Sequence, residues 1–129
     1  GAGSLPLAAM APYDEVAFLV IPQDVDDRDL AIADIISAQM AGSVKPVGIE
    51  LPYRLPLSML ATVSARARSL GVRLWVNMLD GNFVVGAGSD RDALRAPDAV
   101  WGALVRAGAS MLLTDEPEAM LAMRNAKRR

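Results

Sequence analysis

Four short runs of apolar residues recur along the chain, and each has the length of a β-strand. Nearly every position within them is apolar, so the alternation typical of a half-exposed antiparallel strand is missing. The pattern therefore predicts strands that are buried on both faces, as in a parallel sheet covered by helices. The predicted strands are residues 16–22, 46–52, 72–79 and 110–117.

Segments with the apolar spacing of helices separate these runs. In the first, apolar residues recur every three or four positions from Leu30 to Met40, and Gly42 ends the pattern. The second starts at Pro56 and runs to Gly71, which we predict to adopt the left-handed conformation of a helix C-cap. The remaining two predicted helices start near Pro97 and Pro117.

The alternation of strands and helices predicts an α/β fold of four βα units, whose parallel strands are joined by right-handed crossovers. We assign a single domain to residues 14–126, with a cloning remnant and lead-in at residues 1–13 and a basic tail at residues 127–129. The longest connection, residues 80–97, is rich in glycine and aspartate and follows the third strand. Ligands of α/β folds bind at this carboxyl end of the strands, so we expect a site there.

Composition narrows the chemistry that the chain can perform. Its 129 residues are 53% hydrophobic and carry a net charge of −2, which fits one domain with a core and disfavours nucleic-acid binding. No apolar stretch is long enough to span a membrane. Cysteine and histidine are both absent, which excludes disulfides, thiolate metal sites, a cysteine nucleophile and a serine-histidine triad. Catalysis by this chain would therefore rest on carboxylates.

Polar residues stand near the predicted carboxyl ends of three strands. Glu50 lies near the end of the second strand, and Thr114 and Asp115 lie near the end of the fourth. On the third strand, Trp75 and Asn77 are two residues apart and so project from the same face. A buried asparagine without a partner costs about 1–3 kcal/mol, so Asn77 needs a hydrogen bond or a solvated strand end. Two interpretations stay open: a common site, or local roles in which Asp115 caps a helix and Asn77 fixes a loop.

Three segments in the second half of the chain share a family pattern. They are GVRLWVNMLDG at residues 71–81, GAGSDRDAL at 86–94 and PDAVWGALVRAGASMLLTDEPEAML at 97–121. They combine a strand ending in Trp-x-Asn, a loop rich in glycine and aspartate, a Pro-Asp-x-x-Trp-Gly helix and a Thr-Asp-x-Pro turn. This order and spacing resemble the C-terminal portion of glycerophosphodiester phosphodiesterases, and VGIELPY at residues 47–53 fits the preceding strand.

The resemblance implies half of a TIM-type (β/α)8 barrel, in which these four strands correspond to the last four of eight. The family uses a divalent metal to hydrolyse a glycerophosphodiester to glycerol phosphate and an alcohol, a reaction of lipid metabolism. Three substrate-binding residues are implied: Trp75 stacking beside the substrate, Asn77 at the strand end and Glu50 facing the lumen. No catalytic residue and no metal ligand carry over, because the family's catalytic histidines and acidic residues lie in the other half.

We therefore expect a hydrolase that is catalytically incomplete as this chain. It would hold no cofactor of its own, and calcium or magnesium is expected for the full-length family. A half-barrel would leave two open strand edges and an apolar inner face, which favour association. The expected partners are a second copy, giving a homodimer, or the missing N-terminal half, together with a small phosphodiester ligand.

Two other interpretations stay open. In one, the chain is a non-catalytic half-barrel module that self-assembles or binds a phosphorylated ligand through Arg54 or Arg73 and the backbone amides near Gly86 and Gly88. In the other, it is a flavodoxin-like domain with a nucleotide at its strand ends, although a phosphate-cradling first loop is missing. The Gly86-x-Gly88 segment matches only the start of a dinucleotide fingerprint, because Arg91 occupies the position of the third glycine.

Overall fold

A computed structural model describes residues 17, 19–20, 29–51, 55–79 and 84–128, except the side chains of residues 20 and 29–31. Residues 1–13, which were predicted to be a cloning remnant and lead-in, lie outside these residues, as do Arg54 and most of the predicted first strand. The elements in chain order are β1 (Leu19–Val20), α1 (Asp29–Ala41), β2 (Gly48–Glu50), β3 (Leu55–Pro56), α2 (Leu57–Ser69), β4 (Arg73–Asn77), β5 (Val84–Val85), α3 (Asp90–Arg95), a π-helical turn (Asp98–Gly102), α4 (Ala103–Arg106), β6 (Met111–Leu113) and α5 (Pro117–Ala126).

Four strands form one sheet in the order β1-β2-β4-β6, and every neighbouring pair is parallel. The predicted α/β fold with parallel strands is thus confirmed, and five α-helices accompany the strands in the described part of the chain. Within the described ranges the strands do not close into a barrel. None of the helices in those ranges is long and apolar enough to cross a membrane.

A second, two-stranded parallel sheet pairs β3 with β5, with Leu55 opposite Val84. The sequence did not indicate this pair, because each strand has only two residues and β5 lies in the segment predicted to be a loop. Its role is to anchor the glycine-rich connection: both Leu55 and Val84 are buried in the hydrophobic core. The loop that follows the third predicted strand is therefore anchored to the core by β5, which lies within the loop.

The two faces of the main sheet differ in burial. Along β4, Leu74 and Val76 are buried, whereas Arg73 is exposed and Trp75 and Asn77 are half-buried. The prediction that the strands are buried on both faces is therefore wrong for β4. The buried face belongs to a hydrophobic core that also contains helix residues, among them Ile36, Leu60, Val63, Trp101 and Leu104.

The other face of the sheet is built from residues that strand register brings side by side. Glu50 pairs with Trp75, Trp75 with Met111, and Asn77 with Leu113. Paired residues of parallel strands project to the same side. A Cβ added to Gly48 would lie 2.5 Å from Leu19 Cδ2 and 2.9 Å from Met111 Cε, so these two side chains meet above the glycine. We call this set the second face: Leu19, Gly48, Glu50, Arg73, Trp75, Asn77, Met111 and Leu113.

The helix ends follow the chemistry of proline and glycine. Helix α2 begins directly after Pro56, and Gly71 has a φ of 74°, as predicted for a left-handed cap. The predicted third helix begins near Pro97 as expected, as the π-helical turn followed by α4, whereas α3 lies in the connection at residues 80–97 that was predicted to be a loop. Ala96 adopts a φ of −144° and a ψ of 71°, because a residue before proline is disfavoured in the helical region. Helix α5 begins at Pro117, in agreement with the prediction.

Candidate functional site

The candidate site lies on the second face, where strands β2 and β4 end. Glu50 is the last residue of β2, and Asn77 is the last residue of β4. Asn77 Nδ2 donates a hydrogen bond to Glu50 Oε1 over 3.5 Å, and Asn77 Oδ1 accepts one from the backbone N–H of Leu79 over 3.0 Å. Asn77 thus has partners at both ends of its amide, so it fixes the chain after β4 and contacts the neighbouring strand.

Burial makes Glu50 an informative member of this pair. Only 8% of its surface is exposed, although it stands at a strand end. A buried carboxylate requires donors, and the Asn77 amide supplies one at the long limit of hydrogen-bond distance. This is its one side-chain hydrogen bond among the described residues, and with respect to these residues the carboxylate retains the capacity to accept a further donor, such as a hydroxyl group.

Trp75 stands beside this pair. It is opposite Glu50 in the strand register and two residues before Asn77, so all three side chains project from the second face. The indole is half-buried, in contrast to Trp101, which is completely buried. The three residues that the resemblance named as substrate-binding therefore lie together at the carboxyl end of two adjacent strands.

Thr114 and Asp115 serve a different centre, which the sequence did not reveal. Its middle is Asp90, a carboxylate that is 6% exposed. Asp90 Oδ1 accepts a hydrogen bond from Trp101 Nε1 over 2.9 Å, and Oδ2 accepts one from Thr114 Oγ1 over 2.7 Å and one from the Asp115 N–H over 2.8 Å. The Asp90 N–H in turn donates to the carbonyl of Met78 over 3.3 Å. One residue thereby joins the end of β4, the π-helical turn and the turn after β6.

These contacts give Thr114 and Asp115 structural roles in the turn after β6. The Thr114 hydroxyl donates to Asp90 and accepts from the Glu116 N–H over 2.9 Å, so both of its functions are engaged. The interpretation of Asp115 as a helix cap is wrong, since the residue before α5 is Glu116 and it makes no side-chain cap hydrogen bond. Asp115 contributes its backbone N–H, and its side chain is exposed.

A local signal beside Asp90 marks where helix α3 begins. Ser89 and Asp92 form a capping box: the N–H and the hydroxyl of Ser89 donate to Asp92 Oδ2 over 2.9 and 3.0 Å. The hydrogen bond from the Ser89 N–H, aided by that from its hydroxyl, lowers the pKa of Asp92. The Ser-x-x-Asp spacing was readable in the sequence and predicts a helix start there, but it carries no information on the burial of Asp90.

The predicted basic tail makes a specific contact. Lys127 and Arg106 both pair with Asp98 Oδ1, the arginine over 3.0 Å. The hydrogen bond from Lys127, followed by that from Arg106, lowers the pKa of Asp98. All three side chains are about half exposed or more, so this cluster joins the end of α5 to the π-helical turn at the surface.

Among the described residues of the alternative phosphate-binding interpretation, Arg73 and the glycine-rich turn do not form one site. Arg73 is the first residue of β4. Gly86 and Gly88 precede α3, and the N–H of Asp90, the first residue of α3, donates a hydrogen bond to Met78, just after the last residue of β4. Both glycines have positive φ, 89° and 91°, which fits the tight turn between β5 and α3. Arg73 thus lies at the opposite end of the strand from the glycine-rich turn.

The described part of the chain contains no set of side chains that could bind a divalent metal ion. No group of three or more aspartate or glutamate side chains is close enough together there to hold an ion. Glu50 pairs with an amide, and Asp90 is occupied by three donors from the protein. We therefore derive no chemical step through a metal.

Comparison with protein-family models identifies a family that covers most of the chain. A family model described as DUF4996, a domain of unknown function, matches residues 20–123. A search of curated proteins found no match.

Proposed function

The chain belongs to the DUF4996 family, whose function is unknown, and from the geometry of its strand ends we propose that it forms the C-terminal part of a glycerophosphodiester phosphodiesterase-like hydrolase. In this proposal the sheet is half of a TIM-type barrel, and the second face lines its lumen. The residues that contact the substrate are Glu50, Trp75 and Asn77.

The observation that carries the proposal is the contact between Glu50 and Asn77 beside Trp75. A glycerol moiety has two chemical features that these side chains fit. Its hydroxyl groups can donate to the carboxylate of Glu50 and accept from the amide of Asn77, and its C–H groups can pack on the indole of Trp75. The site also lies at the carboxyl ends of parallel strands, where (β/α)8 enzymes bind their substrates.

Catalysis requires groups beyond those that the described residues of this chain supply. Cleavage of a phosphodiester needs a proton acceptor, a proton donor for the leaving alcohol and stabilisation of the developing negative charge. The chain has no histidine, and its buried carboxylate Asp90 is committed to three structural donors. Glu50 and Asn77 position a substrate but do not supply this set. The proposal therefore assigns the catalytic groups, and the calcium or magnesium of the family, to a separate half-barrel.

Substrate binding can be tested with the chain alone, because Trp75 reports on the site. We expect glycerophosphocholine to change the tryptophan emission saturably, and Trp75→Phe to abolish the change. Loss of one hydrogen bond in Asn77→Ala should weaken binding by about 3- to 10-fold, whereas Asn125→Ala on exposed α5 is the matched control and should leave it unaltered. No saturable change in the unmodified chain, or equal affinities for both asparagine variants, would contradict the proposal.

Activity gives the second test. With calcium or magnesium added, the isolated chain is expected to release no glycerol phosphate from glycerophosphocholine above a metal-free blank. Turnover above the blank would show that the chain is catalytically complete, contrary to the proposal.

A second candidate function is self-assembly without catalysis, and the partial exposure of the second face favours it. Leu19 is 39% exposed, and Trp75, Met111 and Leu113 on the same face are half-buried. In this interpretation a second copy of the chain covers the second face and completes an eight-stranded assembly. It differs from the hydrolase proposal in one outcome: the chain would not bind glycerophosphocholine at Trp75.

A further inference from the structure

A cavity of about 370 Å³ lies at the amino ends of β4 and β6, at the other end of the sheet from Glu50. The C-terminal part of α2 and the turn between α4 and β6 form its walls. Neither the strand-end site nor the network around Asp90 extends into it. Its volume falls within the range of about 300–1,000 Å³ that small-molecule sites occupy.

Ser64 on α2 contributes an unusual group to this cavity. The residue is 3% exposed, and its Oγ is buried without a hydrogen-bond partner among the described residues. Most buried side-chain hydroxyls are hydrogen-bonded, because burying one without a partner destabilises the fold. A polar atom of this kind on a cavity wall indicates a ligand that supplies the missing partner.

Gly108 packs closely against Ser64 and lies near Arg68. A Cβ added to Gly108 would lie 2.5 Å from Ser64 Cβ, 3.0 Å from Ser64 Oγ and 3.3 Å from Arg68 Nη2. The hydroxyl and the guanidinium group are therefore both next to Gly108, where any other residue would clash with Ser64. Gly108 also has a φ of 106°, which favours glycine.

The remaining polar groups of the cavity are donors as well. Arg73 lines it from the start of β4. Ser110 Oγ accepts a hydrogen bond from the Leu74 N–H over 3.2 Å, so its own proton remains available to donate. No aspartate or glutamate is among the lining residues in the described part of the chain. A neighbouring cavity that shares Arg73 adds a further cation, Lys45.

Two cations at this end of the sheet have a simpler explanation, which covers only part of the observations. Arg66 and Arg68 lie in the last turn of α2, where positive charge favours the helix dipole. The dipole accounts for arginines there, but it does not account for the buried hydroxyl of Ser64, which has no partner among the described residues. A bound anion accounts for both observations.

We propose that this cavity binds the phosphoryl group of a small phosphorylated ligand. Its oxygens would accept hydrogen bonds from Ser64 and Ser110 and charge-assisted bonds from Arg68 and Arg73. A tetrahedral anion has acceptors in several directions and suits donors on separate walls. The inference goes beyond the proposed function, because it concerns the opposite end of the strands.

NMR titration of the isotope-labelled full chain tests the assignment, with inorganic phosphate as the probe. Saturable shifts are expected for the amides of Gly71, Gly108 and Ser110, with smaller shifts near Asn77. Glycerol 3-phosphate in a parallel titration distinguishes a small organic phosphate from free phosphate: tighter binding identifies the former as the ligand, and equal binding the latter. Acetate provides the third arm, and binding of acetate as tight as that of phosphate would overturn the phosphoryl assignment.

Variants identify the donors. Arg68→Gln and Arg73→Gln should each weaken phosphate binding about tenfold or more, whereas Arg66→Gln, in the same turn of α2 but outside the cavity, should alter it less than about twofold. Asn77→Ala should leave phosphate binding unchanged, which separates this cavity from the strand-end site. No saturable shifts, or equal losses for Arg66→Gln and Arg68→Gln, would overturn the proposal.

Ser64→Ala provides a readout that a purely structural serine would not give. Removing a hydroxyl without a partner should raise the melting temperature of the ligand-free chain, and removing a donor should weaken phosphate binding about 3- to 10-fold. Opposite effects on stability and affinity support the proposal. A lower melting temperature together with unchanged affinity would show that Ser64 has only a packing role.

Discussion

Asp90 shows how one side chain can fix several segments. Its carboxylate receives the Trp101 indole, the Thr114 hydroxyl and the Asp115 amide, and the residue is almost completely buried. Hydrogen bonds to charged groups contribute about 1.5–3 kcal/mol each, and buried donors left without an acceptor carry a further cost. Asp90 should therefore contribute more to stability than any exposed carboxylate nearby.

Asp90→Ala is expected to lower the free energy of unfolding by at least about 3 kcal/mol, because it leaves three donors without their acceptor. The matched control is Asp92→Ala, two residues away in the exposed capping box, for which we expect a much smaller loss. Urea denaturation followed by circular dichroism measures both values. Equal losses for the two variants would contradict the central role of Asp90.

The sequence allowed prediction of some of these residues and not of others. The positions of Glu50, Trp75 and Asn77 follow from strand order and from the two-residue repeat of a strand, which place them on one face of adjacent strand ends. The partners of Asp90 lie 11, 24 and 25 residues away along the chain. Their meeting depends on how three loops pack, which no local pattern encodes.

At the scale of elements, glycine and proline set most boundaries that the sequence could predict. Gly71 ends α2 as expected, and Pro117 begins α5. The third predicted helix begins after Pro97 as expected, but α3 was missed, because its six residues are too few to show a helical repeat and lie in the segment predicted to be a loop. Strands β3 and β5 were missed because two residues are too few to produce a repeat.

Gly71 follows α2 and Gly108 follows α4, and both have positive φ. Alanine at Gly71 would cause backbone strain alone, whereas alanine at Gly108 would also clash with a neighbouring side chain. Gly71→Ala is expected to lower stability by about 1–2 kcal/mol, since a side chain at φ 74° is strained but has open space. Gly108→Ala should cost about 2–5 kcal/mol, because its Cβ would also lie 2.5 Å from that of Ser64. Thermal unfolding of the two variants measures the difference in stability. Equal losses of stability would contradict the predicted clash at Gly108.

The ion pairs and the capping box at the helix ends predict a pH dependence. The pKa values of Asp92 and Asp98 lie below the ordinary 3.8 in the folded chain, so the unfolded chain takes up protons first as the pH falls. The stability they contribute is present above about pH 4 and is lost as the pH falls through the lowered values. Urea midpoints at neutral pH and near pH 3 should show this loss, and Asp98→Asn should reduce it; an identical pH profile for the variant would contradict the assignment.

At the scale of the whole molecule, the main sheet is covered by the hydrophobic core on one side, while its second face is only partly buried. The parallel order and the βα alternation were predictable from the apolar runs. The unequal burial of the two faces was not, because Trp75 and Met111 are as apolar as residues of the core. The geometry of the crossovers determines which face of a strand the helices cover. This face cannot be predicted from the composition of the strand.

The second face predicts association. In sedimentation equilibrium at micromolar concentration, we expect a mass above the 13.7 kDa of one chain. Met111→Lys on the second face should shift the equilibrium towards the monomer, whereas Val85→Lys, at an exposed position of β5, is the matched control and should not. A monomer for the unmodified chain would count against both the homodimer and an uncovered half-barrel.

The hydrogen bonds of Asp90 also bear on how the family diverges. A sequence that replaces this aspartate leaves an indole and a hydroxyl without an acceptor, so replacement is tolerated best where Trp101 and Thr114 have changed too. Among members of the family, the three positions are therefore expected to covary, although they are far apart along the chain. An aligned set in which Asp90 varies while the tryptophan and threonine stay constant would speak against this coupling.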